Sequence, residues 1–531
     1  MSVNFGDVFD TIASAIEPEA AAVICDGVIT SWSQLDHRST ALARYLIERE
    51  LAPGAKVSLY MRNGPDYITA FVGALKARLA PVNINYRYGP DEIAYLLDNS
   101  DSEALIFDGE FAETVDRACA GRSLKALVSA RNQTAGADFL DDIHAREDDS
   151  PIELRRDPED LFLLYTGGTT GMPKGVMWPS SSLWGTLSAS RAVRPEDPPP
   201  MTLAALDAQI RSGEGRVRYH IAPPLMHGTG LFAALSVLSR GGSIVCSARP
   251  SFDPESTVAE LELWKCDGVV IVGDAFARPL LDVLLRNPGR FDVSHMKMVV
   301  SSGMMWSPEV KLGLLDFMPD ATLSDGLGAS ESAGIAYSVV TKDAPPSEAR
   351  FNLANAIVLR PDDLKPVTPG SGETGIIAKC GDLPLGYYKD PERTARTYVT
   401  IGGVRYILGG DHALVEADGS IRLLGRGSHC INTAGEKVYP EEVEEALKTH
   451  PLVTDALVFG VADDRFGQSV AAVVAVSDAV TEAELISHVR IRLAAYKAPR
   501  AVVSVAVAPR AVNGKADYAA ARALFDKARK A

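Results

Sequence analysis

Thr166-Gly167-Gly168-Thr169-Thr170-Gly171-Met172-Pro173-Lys174-Gly175 follows directly on the apolar run Leu161-Phe162-Leu163-Leu164-Tyr165. A short continuous apolar run bounded by turn residues reads as a buried strand, and the decapeptide is the loop it feeds. Its glycines let the backbone take positive φ and come close to an anion, so that successive N–H groups face phosphate oxygens. Three threonine hydroxyls add donors and Lys174 supplies charge. No Lys-Ser or Lys-Thr closes the loop, which disfavours a P-loop kinase or ATPase. A Gly-rich turn without a ligand is the competing reading, and further segments downstream in a fixed order weigh against it.

Upstream of this loop, strand-like and helix-like patterns alternate. Residues 56–61 read as a buried strand. Residues 65–76 place Tyr67, Ile68, Phe71, Val72 and Leu75 at helical spacing. Strand, helix and strand follow at 80–84, 91–97 and 103–107. The rhythm returns at 268–272, 276–285, 297–300 and 308–317, which predicts parallel sheet covered by helices. Between 194 and 218 lies a stretch rich in Pro, Ala, Gly and charge, with a short helix expected at 201–210 and loop elsewhere. After Gly425 and Arg426 the texture changes. A helix over 440–449 with an acidic first turn (Glu441, Glu442, Glu444) suits the helix dipole. Strands at 456–461 and 469–476 and a helix over 482–493 complete a small α+β unit. The expected fold is therefore α/β: a large N-terminal body of layered α/β subdomains (1–425), a short hinge (426–429) and a small C-terminal α+β domain (430–531).

The 531 residues exceed one ordinary core, and 46% apolar with 23% charged residues is a globular balance. A formal net charge of −16 argues against nucleic acid as a partner. The first twenty residues carry no Lys or Arg and no apolar block, unlike a secretory signal, and no run of 18 apolar residues predicts a membrane span. Six cysteines without a C-x-x-C pair suit reduced thiols in a cytoplasmic protein.

Over almost its whole length the sequence resembles the adenylate-forming superfamily: acyl-CoA synthetases, peptide-synthetase adenylation domains and luciferases. The loop at 165–175 is similar to that family's phosphate loop, which implies ATP-binding roles for Thr166, Gly167, Gly168, Thr169, Thr170, Gly171 and Lys174. Pro223-Pro224-Leu225-Met226-His227-Gly228 resembles the motif whose aromatic or His residue borders the acyl pocket, so His227 would orient the carboxylate or gate the pocket. Asp325-Gly326-Leu327-Gly328-Ala329-Ser330-Glu331 resembles the adenine-binding motif, with Leu327 where an aromatic is usual. The resemblance puts Asp325, Gly328, Ser330 and the backbone near Gly303 at the adenine, and Glu331 with Thr166 on Mg²⁺. Gly410-Asp411 resembles the Thr-Gly-Asp motif that accepts the ribose hydroxyls, with Gly409 in place of Thr, and Arg426 would contact ribose or the α-phosphate. His429 replaces the usual hinge Asp or Lys. Ala434-Gly435-Glu436-Lys437 is similar to the loop lining the pantetheine tunnel, implying CoA contacts from Gly435, Glu436 and Lys437. Pro509-Arg510-Ala511-Val512-Asn513-Gly514-Lys515 resembles the C-terminal motif that ends in the catalytic lysine.

Within the superfamily, the segments Tyr165–Trp178, Gly273–Pro279, Gly386–Asp390 and Glu436–Glu444, together with the insertion after Ala192, resemble CoA ligases of actinobacterial fatty-acid and steroid side-chain catabolism. The resemblance implies activation of a long-chain or steroid acid to acyl-AMP and transfer to CoA, with ATP, CoA and Mg²⁺ required. A carrier-protein acceptor, a luciferase-like oxygenase and a non-catalytic binding protein on the same fold are the rival readings. A second copy of the chain, as a homodimer, is a further candidate partner.

Overall fold

The computed structural model describes residues 3–148, 152–166, 173–188, 197–304, 306–344, 350–426, 431–433, 436–463, 467–493, 495–511 and 516–530. The chain divides into two compact units. The first comprises Met1–Pro346 with Cys380–Ile407, the second Ser347–Lys379 with Leu408–Ala531.

Two sheets build the first unit. One has eight strands in the order Gly386–Tyr387, Lys174–Pro179, Leu161–Thr166, Ala80–Asn83, Lys56–Tyr60, Ser102–Asp108, Ala126–Ala130 and Asp138–Phe139. Its centre is parallel, and these strands are buried almost residue by residue, as continuous apolar runs in a helix-covered parallel sheet should be. The other sheet runs Ser332–Val340, Thr322–Ala329, Met298–Ser302, Gly268–Ile271, Arg218–Ile221, Ser243–Cys246, Ala21–Cys25 and Val28–Ser31. It is parallel in the middle and antiparallel at both ends. The helices Pro254–Leu263, Gly273–Arg286 and Pro308–Phe317 bury their apolar stripes in one core with it.

The expected helix over 65–76 forms with those bounds, opened by Pro65 at its first position. It is buried all round from Tyr67 to Lys76. Lys76 is 1% exposed and is held by Asp36 at 2.5 Å, Asp10 at 3.1 Å and the Thr40 hydroxyl at 3.0 Å. In the 194–218 stretch the helix is Leu203–Ser212, two residues later than expected. Thr202 caps it by accepting from the Ala205 N–H, and Gly213 closes it at φ 70°. Arg218 opens a strand and is not loop.

In the second unit, the strands Ala356–Leu359, Thr374–Lys379, residues 408–415, Ile421–Arg426 and Arg350–Leu353 lie in that order. A further sheet orders Glu436–Val438, Ile431–Thr433, Gly467–Val476 and Val453–Asp463, with Ala501–Val505 parallel to Gly467–Val476. The helices Pro440–Lys448, Glu482–Arg492 and Tyr518–Lys530 complete an α+β arrangement. One expectation is corrected here. Glu444, expected among the first-turn acids with Glu441 and Glu442, lies beyond that turn and is buried, accepting from the Val458 N–H at 2.8 Å and the Tyr518 hydroxyl at 3.0 Å. Burial pushes its carboxyl up to about 7.

Candidate active site

The phosphate-loop candidate joins two antiparallel strands whose register pairs Thr166 with Lys174, Leu164 with Val176 and Phe162 with Trp178. Cross-strand partners share a face and faces alternate along a strand. Thr166, Lys174, Leu164, Val176, Phe162 and Trp178 therefore project to one side of the sheet. On the other side the Tyr165 ring covers Gly175, where a Cβ would lie 2.6 Å from the ring, so this position admits only glycine. Gly167, Gly168, Thr169, Thr170 and Gly171 lie outside the described residues.

Three other segments gather on the Thr166–Lys174 side. Strands Thr322–Ala329 and Ser332–Val340 form an antiparallel pair joined by Ser330 and Glu331. The buried Trp178 indole N–H donates to the Ser330 carbonyl at 2.9 Å. Tyr387 pairs with Val176 across the neighbouring strand, and its hydroxyl donates to Glu331 Oε1 at 2.7 Å. Burial and the Glu331 charge push the Tyr387 phenol up to about 12, so it stays a donor. Lys174 is paired with Asp390, and its hydrogen bond holds that carboxyl below the usual range. Asp390 also caps the helix Pro391–Thr397 by accepting from the Arg393 N–H at 3.0 Å.

His227 stands as the extended residue ahead of the helix Gly228–Leu238. Asn83 ties the segment before it to the loop strand. Its amide donates to the Met226 carbonyl at 2.6 Å and the Tyr165 carbonyl at 3.0 Å, and its Oδ1 accepts from the Tyr165 N–H at 2.7 Å. A Cβ at Gly228 would lie 3.4 Å from Leu164 and 3.8 Å from Ser330 Oγ, which brings this helix start between hairpin and turn. Gly303, at φ 95°, lies beside Thr229 and Val272. Asp325 behaves differently: its buried carboxylate is paired with Lys311 at 3.0 Å, and the two side chains are 6% and 7% exposed. What this position offers a ligand is thus backbone.

In the second unit, Asp411 and Arg426 are direct cross-strand partners, and Asp411 is buried. Gly425 beside them has φ 94°, and a Cβ there would lie 2.0 Å from the Glu441 carboxylate. Glu436 and Lys437 lie on the second strand of a hairpin, opposite Thr433 and Asn432; Gly435 is outside the described residues. Arg510 and Ala516 form a bridge that closes the C-terminal motif, while Lys515, like His429, lies outside the described residues.

The profile of the family of AMP-binding enzymes matches residues 11–385, and that of the AMP-binding enzyme C-terminal domain matches 442–515. The chain belongs to the AMP-binding enzyme family. It is 38% identical to 3-oxocholest-4-en-26-oate–CoA ligase of Rhodococcus rhodochrous, over 98% of this chain and 95% of that one. It is also 38% identical to a medium/long-chain-fatty-acid–CoA/3-oxocholest-4-en-26-oate–CoA ligase of Mycolicibacterium smegmatis, over 98% and 96%. Among solved structures, the amide bond synthetase McbA from Marinactinospora thermotolerans superposes with a TM-score of 0.81 at 25% identity, over 98% of this chain and 99% of that one. By family this AMP-binding enzyme is a ligase of the adenylate-forming superfamily, with the layered α/β fold expected from its sequence.

A hard cation such as Mg²⁺ takes oxygen ligands and keeps several waters, so it needs few protein groups. Among the described residues no cluster of three or more His, Cys, Asp or Glu side chains forms a metal cage. One half-buried carboxylate, Glu331, facing the sheet side that carries the Thr166 hydroxyl fits a Mg²⁺ bound together with nucleotide phosphates. Asn83, Trp178, Tyr387 and Asp390 were given no role by sequence reasoning. Two of them sit in the segment Gly386–Asp390, which resemblance had already singled out without saying what it holds.

Proposed function

We propose that this AMP-binding enzyme activates a carboxylic acid with ATP as an acyl-adenylate and passes the acyl group to CoA. The acid we propose is a long-chain fatty acid or a steroid side-chain acid, in keeping with the names of the relatives at 38% identity. One observation carries the reading. The Ser330–Glu331 turn is fastened by Trp178 and Tyr387 over the sheet face on which Thr166 and Lys174 stand.

In the first step a carboxylate oxygen of the acid attacks the α-phosphorus and pyrophosphate leaves. Loop N–H groups and Lys174 hold the β- and γ-phosphates, Asp411 accepts the ribose hydroxyls, and Arg426 and Lys515 meet the ribose and α-phosphate. Gly303, Gly328 and Ser330 border the adenine, and His227 orients the acid. Such catalysis is mostly positioning and electrostatic stabilisation. Mg²⁺, held by Glu331 and Thr166, would spread the charge that develops on the phosphates. In the second step the CoA sulfur attacks the acyl carbon, the thiol proton is released and AMP departs, with Gly435, Glu436 and Lys437 along the pantetheine. The hinge we assign to 426–429 exchanges Lys515 for that loop between steps. The proposed setting is the cytoplasm and the proposed assembly a homodimer. Among the described residues no helix is long and apolar enough to cross a membrane.

The test is acid-dependent AMP release over short, medium, long, aromatic and steroid acids, with and without CoA, the products being read by mass spectrometry. An acyl-CoA product from long-chain or steroid acids is expected. Acyl-AMP that CoA does not discharge would move the acceptor to a carrier protein. ATP binding without turnover on any acid would make the chain a binding protein.

A further inference from the structure

Glu331 sits half-buried on a two-residue turn, its carboxylate carried on three side-chain torsions. The turn has two clamps of different kinds. Trp178 fixes its main chain through the Ser330 carbonyl, and Tyr387 reaches the Glu331 carboxylate itself, at 2.7 Å.

Tyr387 is built as a rigid donor. It is 5% exposed. Its N–H donates to Thr394 Oγ1 at 2.9 Å, and Thr394 donates in turn to the Asp390 carbonyl at 2.8 Å. The ring lies 4.9 Å beneath the Arg393 guanidinium and 6.2 Å from Tyr398, edge to face. Gly386 before it sits at φ 145°, and a Cβ there would fall 2.4 Å from Thr394, so the backbone of the short strand packs directly on that residue. The same segment holds Lys174 through Asp390, three residues on. One stretch of chain thus governs both a carboxylate and an ammonium of the candidate site.

We infer that Tyr387 is a positioning residue for the Glu331 carboxylate: its hydroxyl occupies Oε1 and fixes the orientation in which Glu331 meets a divalent cation bound with the nucleotide. This rests on the reading of Glu331 as the cation's carboxylate. Outer partners of metal-binding side chains typically change cation affinity by about 10–100-fold when removed.

The experiment titrates Mn²⁺ by electron paramagnetic resonance into the full chain with a non-hydrolysable ATP analogue, and measures AMP binding without metal. Tyr387→Phe keeps the ring and its packing. It is expected to weaken Mn²⁺ binding about tenfold, to leave AMP affinity unchanged, and to approach wild-type turnover at saturating Mg²⁺. Wild-type Mn²⁺ affinity in Tyr387→Phe, with weakened affinity in Glu331→Gln, overturns the inference alone. Wild-type Mn²⁺ affinity in Glu331→Gln overturns the underlying reading. Loss of Mn²⁺ and AMP affinity by the same factor in Tyr387→Phe marks a general packing role and also overturns the inference.

Discussion

Two lysines proposed for the same first step, Lys174 and Lys515, are carried by segments anchored in opposite ways. The loop ending at Lys174 leaves and rejoins the sheet through an apolar neck. Phe162 and Trp178 stack as cross-strand partners at 6.4 Å, and Phe232 closes edge-on against Trp178 at 5.5 Å. The segment ending at Lys515 has a charged neck. Arg510, just before it, forms a two-pronged ion pair with Asp455 at 2.5 and 2.6 Å, and Tyr518, just after it, donates to the buried Glu444. Aromatic packing carries no titrating group, whereas a neck of desolvated charges responds to pH and is costly to break on one side. The first neck suits a fixed cradle; the second can be tuned by its surroundings.

The comparison breaks most visibly at the lysines themselves. Lys515→Ala is expected to slow acid-dependent pyrophosphate release by about 10²–10³-fold, the scale of one lost preorganised charge. Thioester formation from supplied acyl-AMP should stay within a few-fold of wild type. Equal loss in both half-reactions would remove the distinction between the two lysines. The necks are tested by urea unfolding of the full chain. Arg510 and Asp455 are only partly buried, at 23% and 20% exposed, so Arg510→Ala, which leaves the Asp455 carboxylate without its main partner, should cost about 2–3 kcal/mol, between a surface pair and a fully buried one. A cost below about 1 kcal/mol, the range of a surface pair, would mean that the charged neck is not an anchor.

Glu444 gives the charged neck a pH signature. Burial, first, raises its carboxyl to about 7 from an ordinary 4.5, against the pull of Lys448. The folded chain therefore binds this proton more tightly than the unfolded chain does. The group's contribution is fully favourable below pH 4.5, declines as pH rises toward 7, and is lost above that. The swing is about 3 kcal/mol. Glu444→Gln should remove it, so that variant stability gains on wild type by about that amount across pH 4.5–7.5. A constant difference over that window would show Glu444 to be ionised throughout.

The sequence made the layers legible because each layer has a local cause. Short, largely apolar runs such as 56–60 and 268–271, bounded by turn residues, read as buried strands, and Pro65 and Pro308 mark helix starts that the structure reproduces. The links that assemble the site have no such local cause. Tyr387 meets Glu331 across 56 residues, and Asn83 meets Met226 across 143. No periodicity encodes a contact of that kind. Glu444 was misread for a different reason. The dipole argument ranks an acid by its distance from the helix start and ignores its face. Pro440, Val443, Glu444 and Leu447 occupy an i, i+3, i+4, i+7 stripe and all four are buried. The spacing alone therefore held the signal that this carboxylate points inward. Asp325 was likewise legible as part of a motif, while its partner Lys311 sits on a helix fourteen residues earlier whose apolar stripe gave no reason to single out a lysine.

The smallest expected effect sharpens the comparison most, because it asks whether the apolar neck does anything beyond packing. Trp178→Phe keeps an aromatic ring between Phe162 and Phe232 but deletes the indole N–H that reaches the Ser330 carbonyl. Losing one neutral hydrogen bond should cost about 1 kcal/mol of stability. If the neck only packs, that loss appears in the melting temperature and nowhere else. If it also holds the turn that carries Glu331, the KM for ATP rises a few-fold while kcat at saturating Mg·ATP changes little, because the carboxylate is still present and still clamped by Tyr387. Combining Trp178→Phe with Tyr387→Phe then removes both clamps on one two-residue turn. The two changes should couple, by about 0.5–3 kcal/mol beyond the sum of the single effects. Strict additivity would mean that main chain and side chain of the turn are held independently.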